Sequence, residues 1–226
     1  GAGAPVRPAA QSTTAAPAPA PRAAPRVRAL VPELELGPDA LVPFGDLPAR
    51  VDACRRCALG SSRTCAVFGE GSPTAELVFC GEAPGLDEDR SGRPFVGRAG
   101  ELLTAMIERG MRMRREDVYI LNTLKCRPPR NRAPLPAEVD ACRPFLEAQV
   151  AVLRPRVIVA LGNHAVRALL GESPGITRIR GRVLQGLGTS IVPTFHPAYL
   201  LRNPAAKREA WEDLKTVLRL LGRMPE

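Results

Sequence analysis

Four short apolar runs, separated by helical patterns, constrain this chain more than any other feature. They are Glu76–Gly81 (ELVFCG), Val118–Leu121, Arg156–Leu161 (RVIVAL) and Ser190–Phe195. Runs of this length bounded by turn residues read as buried strands. Between them, Arg98 to Arg109 places Leu102, Leu103, Met106 and Ile107 on one helical face. Pro136 suits a first helical turn, and Val139, Cys142, Leu146 and Val150 follow at helical spacing. Asn163 to Leu170 reads as a further helix, and Leu47 to Cys57 as a short one ahead of the first strand. After the last strand, Asn203 is expected to cap a helix with Pro204 at its first position and Trp211, Leu214, Leu218 and Leu221 as its apolar stripe. Strands alternating with helices imply a parallel sheet covered on both faces. Ligands of such sheets bind beyond the carboxyl ends of the strands, so chemistry is expected in the loops after Cys80, Leu121 and Phe195.

The composition permits such a core: 45% of residues are hydrophobic but only 4% aromatic, so aliphatic side chains must fill it. Residues 1–30 differ, with 11 Ala, 6 Pro, four Arg and no acid. Proline blocks regular helix there and little apolar surface is available to bury. Residues 1–45 are therefore read as a disordered Ala/Pro-rich tail, a linker or a loose basic arm, and 46–226 as the domain. The chain starts with Gly, which reads as a missing or trimmed start. No secretory signal pattern and no run of about 18 apolar residues is present, so a cytoplasmic setting without membrane contact is expected. The net charge of +9 favours a polyanionic partner such as nucleic acid, although arginine bias alone gives the same sum.

Six cysteines are present, and in a reducing compartment clusters of them point to metal rather than disulfides. Cys54 and Cys57 form C-x2-C, while Cys126 and Cys142 form C-x15-C. Four thiolates so placed can share one ion or cluster, and spacing does not separate zinc from [4Fe–4S]. The plain alternative makes Cys126 and Cys142 small core residues. Cys80, in mid-strand, is expected in the core, and Cys65 lies outside the pattern.

The loop after the first strand reads Gly81-Glu82-Ala83-Pro84-Gly85, followed by Leu86-Asp87-Glu88-Asp89 and then by Ser91-Gly92-Arg93-Pro94-Phe95-Val96-Gly97-Arg98-Ala99-Gly100. It matches neither the dinucleotide nor the P-loop glycine pattern. The second strand ends in Leu121-Asn122-Thr123-Leu124-Lys125-Cys126-Arg127-Pro128-Pro129, the fourth in Phe195-His196-Pro197-Ala198-Tyr199-Leu200-Leu201-Arg202-Asn203-Pro204. In order and content these blocks resemble the motifs of the iron–sulfur, family 4 uracil-DNA glycosylases, from about Cys54 to Leu221.

The resemblance implies a three-layer αβα fold around a short, mainly parallel sheet. It also implies a structural [4Fe–4S] cluster on Cys54, Cys57, Cys126 and Cys142. The implied reaction is hydrolysis of the N-glycosidic bond of deoxyuridine, in single- or double-stranded DNA, by a monomer, with release of uracil. The base must leave the stack to be reached. Phe95 matches the aromatic that stacks on it, and Asn122 the amide that reads its edge, which cytosine presents with reversed donors. His196 matches the donor to uracil O2, where negative charge builds as the base leaves. Glu82 is expected to stabilise the oxocarbenium-like sugar, to orient water, or to contribute backbone contact together with Gly81 and Ala83. Related glycosylases carry an Asp or Asn one position later, where this chain has Ala83. Glu88 matches a residue near uracil C5, with a solvated acid as the plain alternative. His164 has no counterpart in the motifs.

Tyr199, Leu200 and Arg202 are read as one loop, with Leu200 as an apolar wedge into duplex and Arg202 on phosphate. An alternative function is a protein that binds or crosslinks uracil-DNA without turnover. Such relatives use a histidine in an inserted basic loop, whereas only Arg-Ala-Gly-Glu separates Gly97 from Leu102 here.

Overall fold

A computed structural model describes Gly1 together with residues 43–171 and 173–224. The expected tail, 1–45, lies outside the described residues except for Gly1 and 43–45. Phe44 already belongs to the fold, with its ring against Phe68 and Tyr119 at centroid distances of 5.6 and 6.0 Å.

In chain order the elements are α1 (Leu47–Ala53), α2 (Leu59–Ser62), β1 (Glu70–Gly71), β2 (Leu77–Gly81), α3 (Leu86–Ser91), α4 (Arg98–Ala105), β3 (Tyr119–Asn122) and α5 (Pro136–Leu153). They continue with β4 (Val157–Leu161), α6 (Gly162–Leu170), α7 (Ile176–Ile179), β5 (Leu184–Gly186), β6 (Thr189–Thr194), α8 (Pro197–Arg202) and α9 (Lys207–Leu221). The sheet order is β1-β3-β2-β4-β6-β5. The four central strands are parallel, and β1 and β5 add antiparallel edges. Those edges are two and three residues long, too short to leave an alternation in the sequence.

The strands are apolar on both faces because each face meets helices. Leu77, Phe79, Val157, Val159 and Val192 pack with Leu103 and Ile107 and with Leu214, Val217 and Leu218 of α9. Val78, Cys80, Ile158, Ala160 and Ile191 face the opposite layer, against Leu146 and Val150 of α5 and Ala165 and Val166 of α6. The architecture is the expected three-layer αβα sandwich.

Several boundaries differ from the expectations. The first helix stops at Ala53, so Cys54 is its C-cap and Cys57 lies in the turn beyond it. The helix from Arg98 ends in a π turn over Met106–Gly110. Asn203 caps nothing with its side chain, which donates instead to the Tyr199 carbonyl at 3.2 Å, and Pro204 opens a single 3₁₀ turn before α9.

A buried polar frame joins the last helix to the end of β6. Asp213 of α9 accepts from Thr194 Oγ1 at 2.6 Å and from Arg180 Nη2 at 2.8 Å and Nε at 3.1 Å. Arg180 also lies over the Phe195 ring, 5.3 Å from its centroid. Removing Asp213 leaves Arg180 with only its exposed Glu209 partner and Thr194 without its acceptor. Asp213→Ala is expected to cost about 3 kcal/mol. Asp213→Asn, which still accepts from Thr194, should cost less. Urea denaturation of the three proteins checks the order.

Candidate active site

Parallel pairing brings the strand ends together. Gly81 and Asn122, the last residues of β2 and β3, are register partners, and Leu161 pairs with Thr194 at the ends of β4 and β6. A cleft of about 560 Å³ opens beyond them, lined among others by Glu82, Ala83, Glu88, Phe95, Asn122 and His196. The strand-end reading of the sequence thus converges on one place.

Gly81 lies beneath the cleft. A Cβ there would stand 2.3 Å from Asn122 Oδ1 and 2.5 Å from Phe95 Cζ, so only glycine lets ring and amide meet. Asn122 is 2% exposed, and its Oδ1 has no hydrogen-bond partner among the described residues. A buried acceptor left unpaired costs about 1–3 kcal/mol, so it calls for an explanation.

Phe95 sits in the left-handed region, at φ 52°, where a bulky side chain is strained. Its neighbours hold it there. Glu88 Oε1 accepts from the Val96 and Gly97 amides at 2.9 and 3.0 Å, and Oε2 accepts from the Gly85 amide at 3.0 Å. Arg115 Nη2 donates to the Pro94 carbonyl at 2.7 Å. Gly100 of α4 approaches the Phe95 carbonyl so closely that its Cβ would fall 1.9 Å from that oxygen. Glu88 therefore lines the cleft as a clamp that fixes two backbone segments, with both oxygens engaged. The Phe95 ring lies 5.7 Å from the His196 ring, tilted by 33°.

His196 opens α8, where its Nδ1 accepts from the Ala198 amide at 3.1 Å. The proton of the neutral ring is thereby placed on Nε2, which becomes a donor. Burial, with Arg202 and His164 nearby, pushes the imidazole down to about 4 against the opposing effect of Glu88. The ring is neutral at pH 7.

α8 replaces the expected loop and corrects the wedge. Leu200 is 1% exposed and packs on Phe195, Ala206 and Ala210, so it is part of the core and presents nothing to a duplex. A helical turn sends Tyr199 and Arg202 to the cleft instead. Tyr199 is 38% exposed and rests on Phe195 at a centroid distance of 4.9 Å.

Glu82 lines the cleft, and burial raises its carboxyl above the ordinary range, opposed by His164. His164 Nε2 lies 3.8 Å from Glu82 Oε2. Sequence reading left this histidine unassigned, although it follows the carboxyl end of β4 by three residues and the strand-end rule applied to it too. Arg98, Asn131 and Arg132 of the cleft wall were also missed.

Cys54, Cys57, Cys126 and Cys142 line a second, smaller pocket with Arg63, Lys125 and Phe145. All four are free thiols, and Arg63 Nη1 donates to Cys126 Sγ at 2.9 Å. Among the described residues no group of three or more His, Cys, Asp or Glu side chains is arranged to hold a single metal ion. Lys125 is 1% exposed and connects the two sites, its Nζ donating to the Asn122 carbonyl at 2.7 Å. Cys80 is buried in β2, as its mid-strand position implied.

Residues 68–215 match the Uracil DNA glycosylase superfamily. The chain is 49% identical over 170 residues to the type-4 uracil-DNA glycosylase of Thermotoga maritima, covering 74% of this chain and 88% of that one. The chain belongs to the type-4 uracil-DNA glycosylase family. It is also similar to the family member of Archaeoglobus fulgidus, at 42% over 186 residues (79% of this chain, 93% of that one). The type-4 protein of Sulfurisphaera tokodaii is 44% identical over 178 residues, covering 75% of this chain and 81% of that one. No helix among the described residues is long and apolar enough to cross a membrane.

The depressed His196 imidazole has a sign that can be checked. Its folded value of about 4 lies below the ordinary 6.5, so between these pH values the unfolded chain binds more protons. The stability contributed by the neutral ring is complete above pH 6.5 and declines as pH falls towards 4. His196→Gln should flatten that slope in denaturation midpoints measured between pH 7.5 and pH 4.5, and the wild-type ring should show the Nε2–H tautomer by NMR at pH 7.

Proposed function

We propose that this chain excises uracil from DNA by hydrolysis of the N-glycosidic bond, leaving an abasic site for base excision repair. The observation that carries the reading is the unpartnered Asn122 Oδ1 at the cleft, where a donor such as uracil N3–H would satisfy it. Phe95 supplies the apolar face on which an extruded base stacks. His196, neutral with its proton on Nε2, donates to O2 as electrons move from the breaking C1′–N1 bond into the ring. Water then completes the reaction at C1′, its oxygen bonding to the sugar while its proton leaves. Glu82 is the carboxylate available to stabilise the positive sugar or to take that proton.

Arg98, Arg132, Arg202 and Tyr199 at the cleft support a DNA-binding rim. We read the chain as a monomer that acts on single strands or on flipped bases in duplex. α4 begins at Arg98, directly after its Gly97 N-cap, without the basic insertion on which the crosslinking alternative depends.

Release of free uracil from a uracil-containing oligonucleotide tests the reading. Asn122→Ala and His196→Ala should each lower single-turnover release by about 10²–10³-fold, the usual effect of losing one such group. Gly81→Ala, which forces Asn122 and Phe95 apart, should do likewise while remaining folded. Undiminished release in all three would overturn the assignment.

The four-thiol pocket fits the [4Fe–4S] cluster of the proposal. Cys54, Cys57, Cys126 and Cys142 would hold it, and Arg63 and Lys125 would offset the negative charge of the thiolates. Bound there, it would act as a structural staple. Purified protein should be brown, absorb near about 400 nm and contain iron and sulfide, and lose thermal stability when iron is removed. Stoichiometric zinc without iron would argue for the alternative metal.

A further inference from the structure

We propose that His164 is a positioning residue for Glu82, an electrostatic partner that keeps its carboxylate ionised in acid. The inference rests on the assignment of Glu82 to the reaction. His164 is not among the residues that line the cleft; it lies in the first turn of α6, with Nε2 3.8 Å from Glu82 Oε2. That separation is too long for a hydrogen bond but within reach of an ion pair. Among the described residues His164 is the charged group that opposes burial at the Glu82 carboxyl, and burial favours the neutral acid.

The pair has a direction in pH. A positive charge on His164 would hold Glu82 as the anion that a cationic sugar or an attacking water requires, against the burial that favours the neutral acid. As pH rises and Glu82 ionises without help, the histidine becomes dispensable. The other charged groups of the cleft are Asp87 and Glu88 of α3, Arg98 of α4, Arg132 ahead of α5, and Arg202 of α8, with His196 at the start of that helix. Glu88 and Arg132 are already engaged, with backbone amides and with Glu138 respectively. His196, held down to about 4, stays neutral through most of the acid range and does not mimic the effect. With side chains 36% and 33% exposed, the His164–Glu82 pair is screened by solvent, so its effect is modest and falls with salt.

The test is the pH profile of single-turnover uracil release, from pH 4.5 to pH 8.5 at low salt, for wild type, His164→Gln and His164→Lys. At pH 5, His164→Gln should lose about three- to fivefold relative to wild type, as expected for one screened charge at this distance. At pH 8 the two should coincide. His164→Lys, a permanent cation, should restore the acid limb. Three superimposable profiles would overturn the proposal. So would a uniform loss at every pH, or a loss that lysine does not rescue, since either marks a merely structural residue. Failure of the wild type to release uracil would instead strike the proposed function, and an unimpaired Glu82→Gln would strike the assignment on which the pair rests.

Discussion

The register of the parallel strands is the constraint on which the site depends. Pairing of Gly81 with Asn122 fixes where the first and second motifs end, and pairing of Leu161 with Thr194 fixes the third relative to the α6 side. A slip of one residue would turn every side chain of a strand to the other layer, and both layers are packed with apolar groups. The core therefore sets the positions of the cleft residues before any polar contact is made.

Polar contacts then refine that placement, mostly through the backbone. The Glu88 carboxylate gathers three amides and holds Phe95 in a conformation it would not adopt alone. The Asp213 frame anchors Thr194, two residues ahead of His196, and Arg180 covers Phe195 between them. Lys125 takes the Asn122 carbonyl. Phe95, Asn122 and His196 are thus each placed with the help of a charged side chain acting through neighbouring backbone or side-chain groups, as site geometry in a solvent-facing cleft requires.

Much of this was legible in the sequence. Three of the four central strands carry a continuous apolar run bounded by turn residues, short enough to argue against a helix, while the fourth mixes Ile191 and Val192 with Ser and Thr. The motif blocks placed Glu82, Asn122 and His196 at strand ends and Phe95 in the segment after the first strand, and the fold brings them together. What escaped had no periodic signature. α3 carries Asp87, Glu88 and Asp89 in its first turn, a favourable charge at a helix N-terminus, but no apolar stripe. α8 is capped by an imidazole nitrogen, which lies outside the usual set of capping side chains, so the segment read as loop and Leu200 as surface. The clamp function of Glu88 and the proximity of His164 to Glu82 are contacts between segments, and no spacing along the chain announces them.

The unpaired oxygen of Asn122 has a consequence for selectivity. A site that satisfied all its polar groups internally would treat arriving bases alike, apart from their shape. Here the cost of one solitary lone pair is carried by the folded chain, and on the proposed function a base presenting N–H at that point would relieve it. Cytosine would bring a lone pair of its own to the same place and leave both unsatisfied. On that reading discrimination would be subtractive: the rejected base would lose an interaction that the accepted one gains. The margin is set by how completely the surrounding core keeps water from filling in for either.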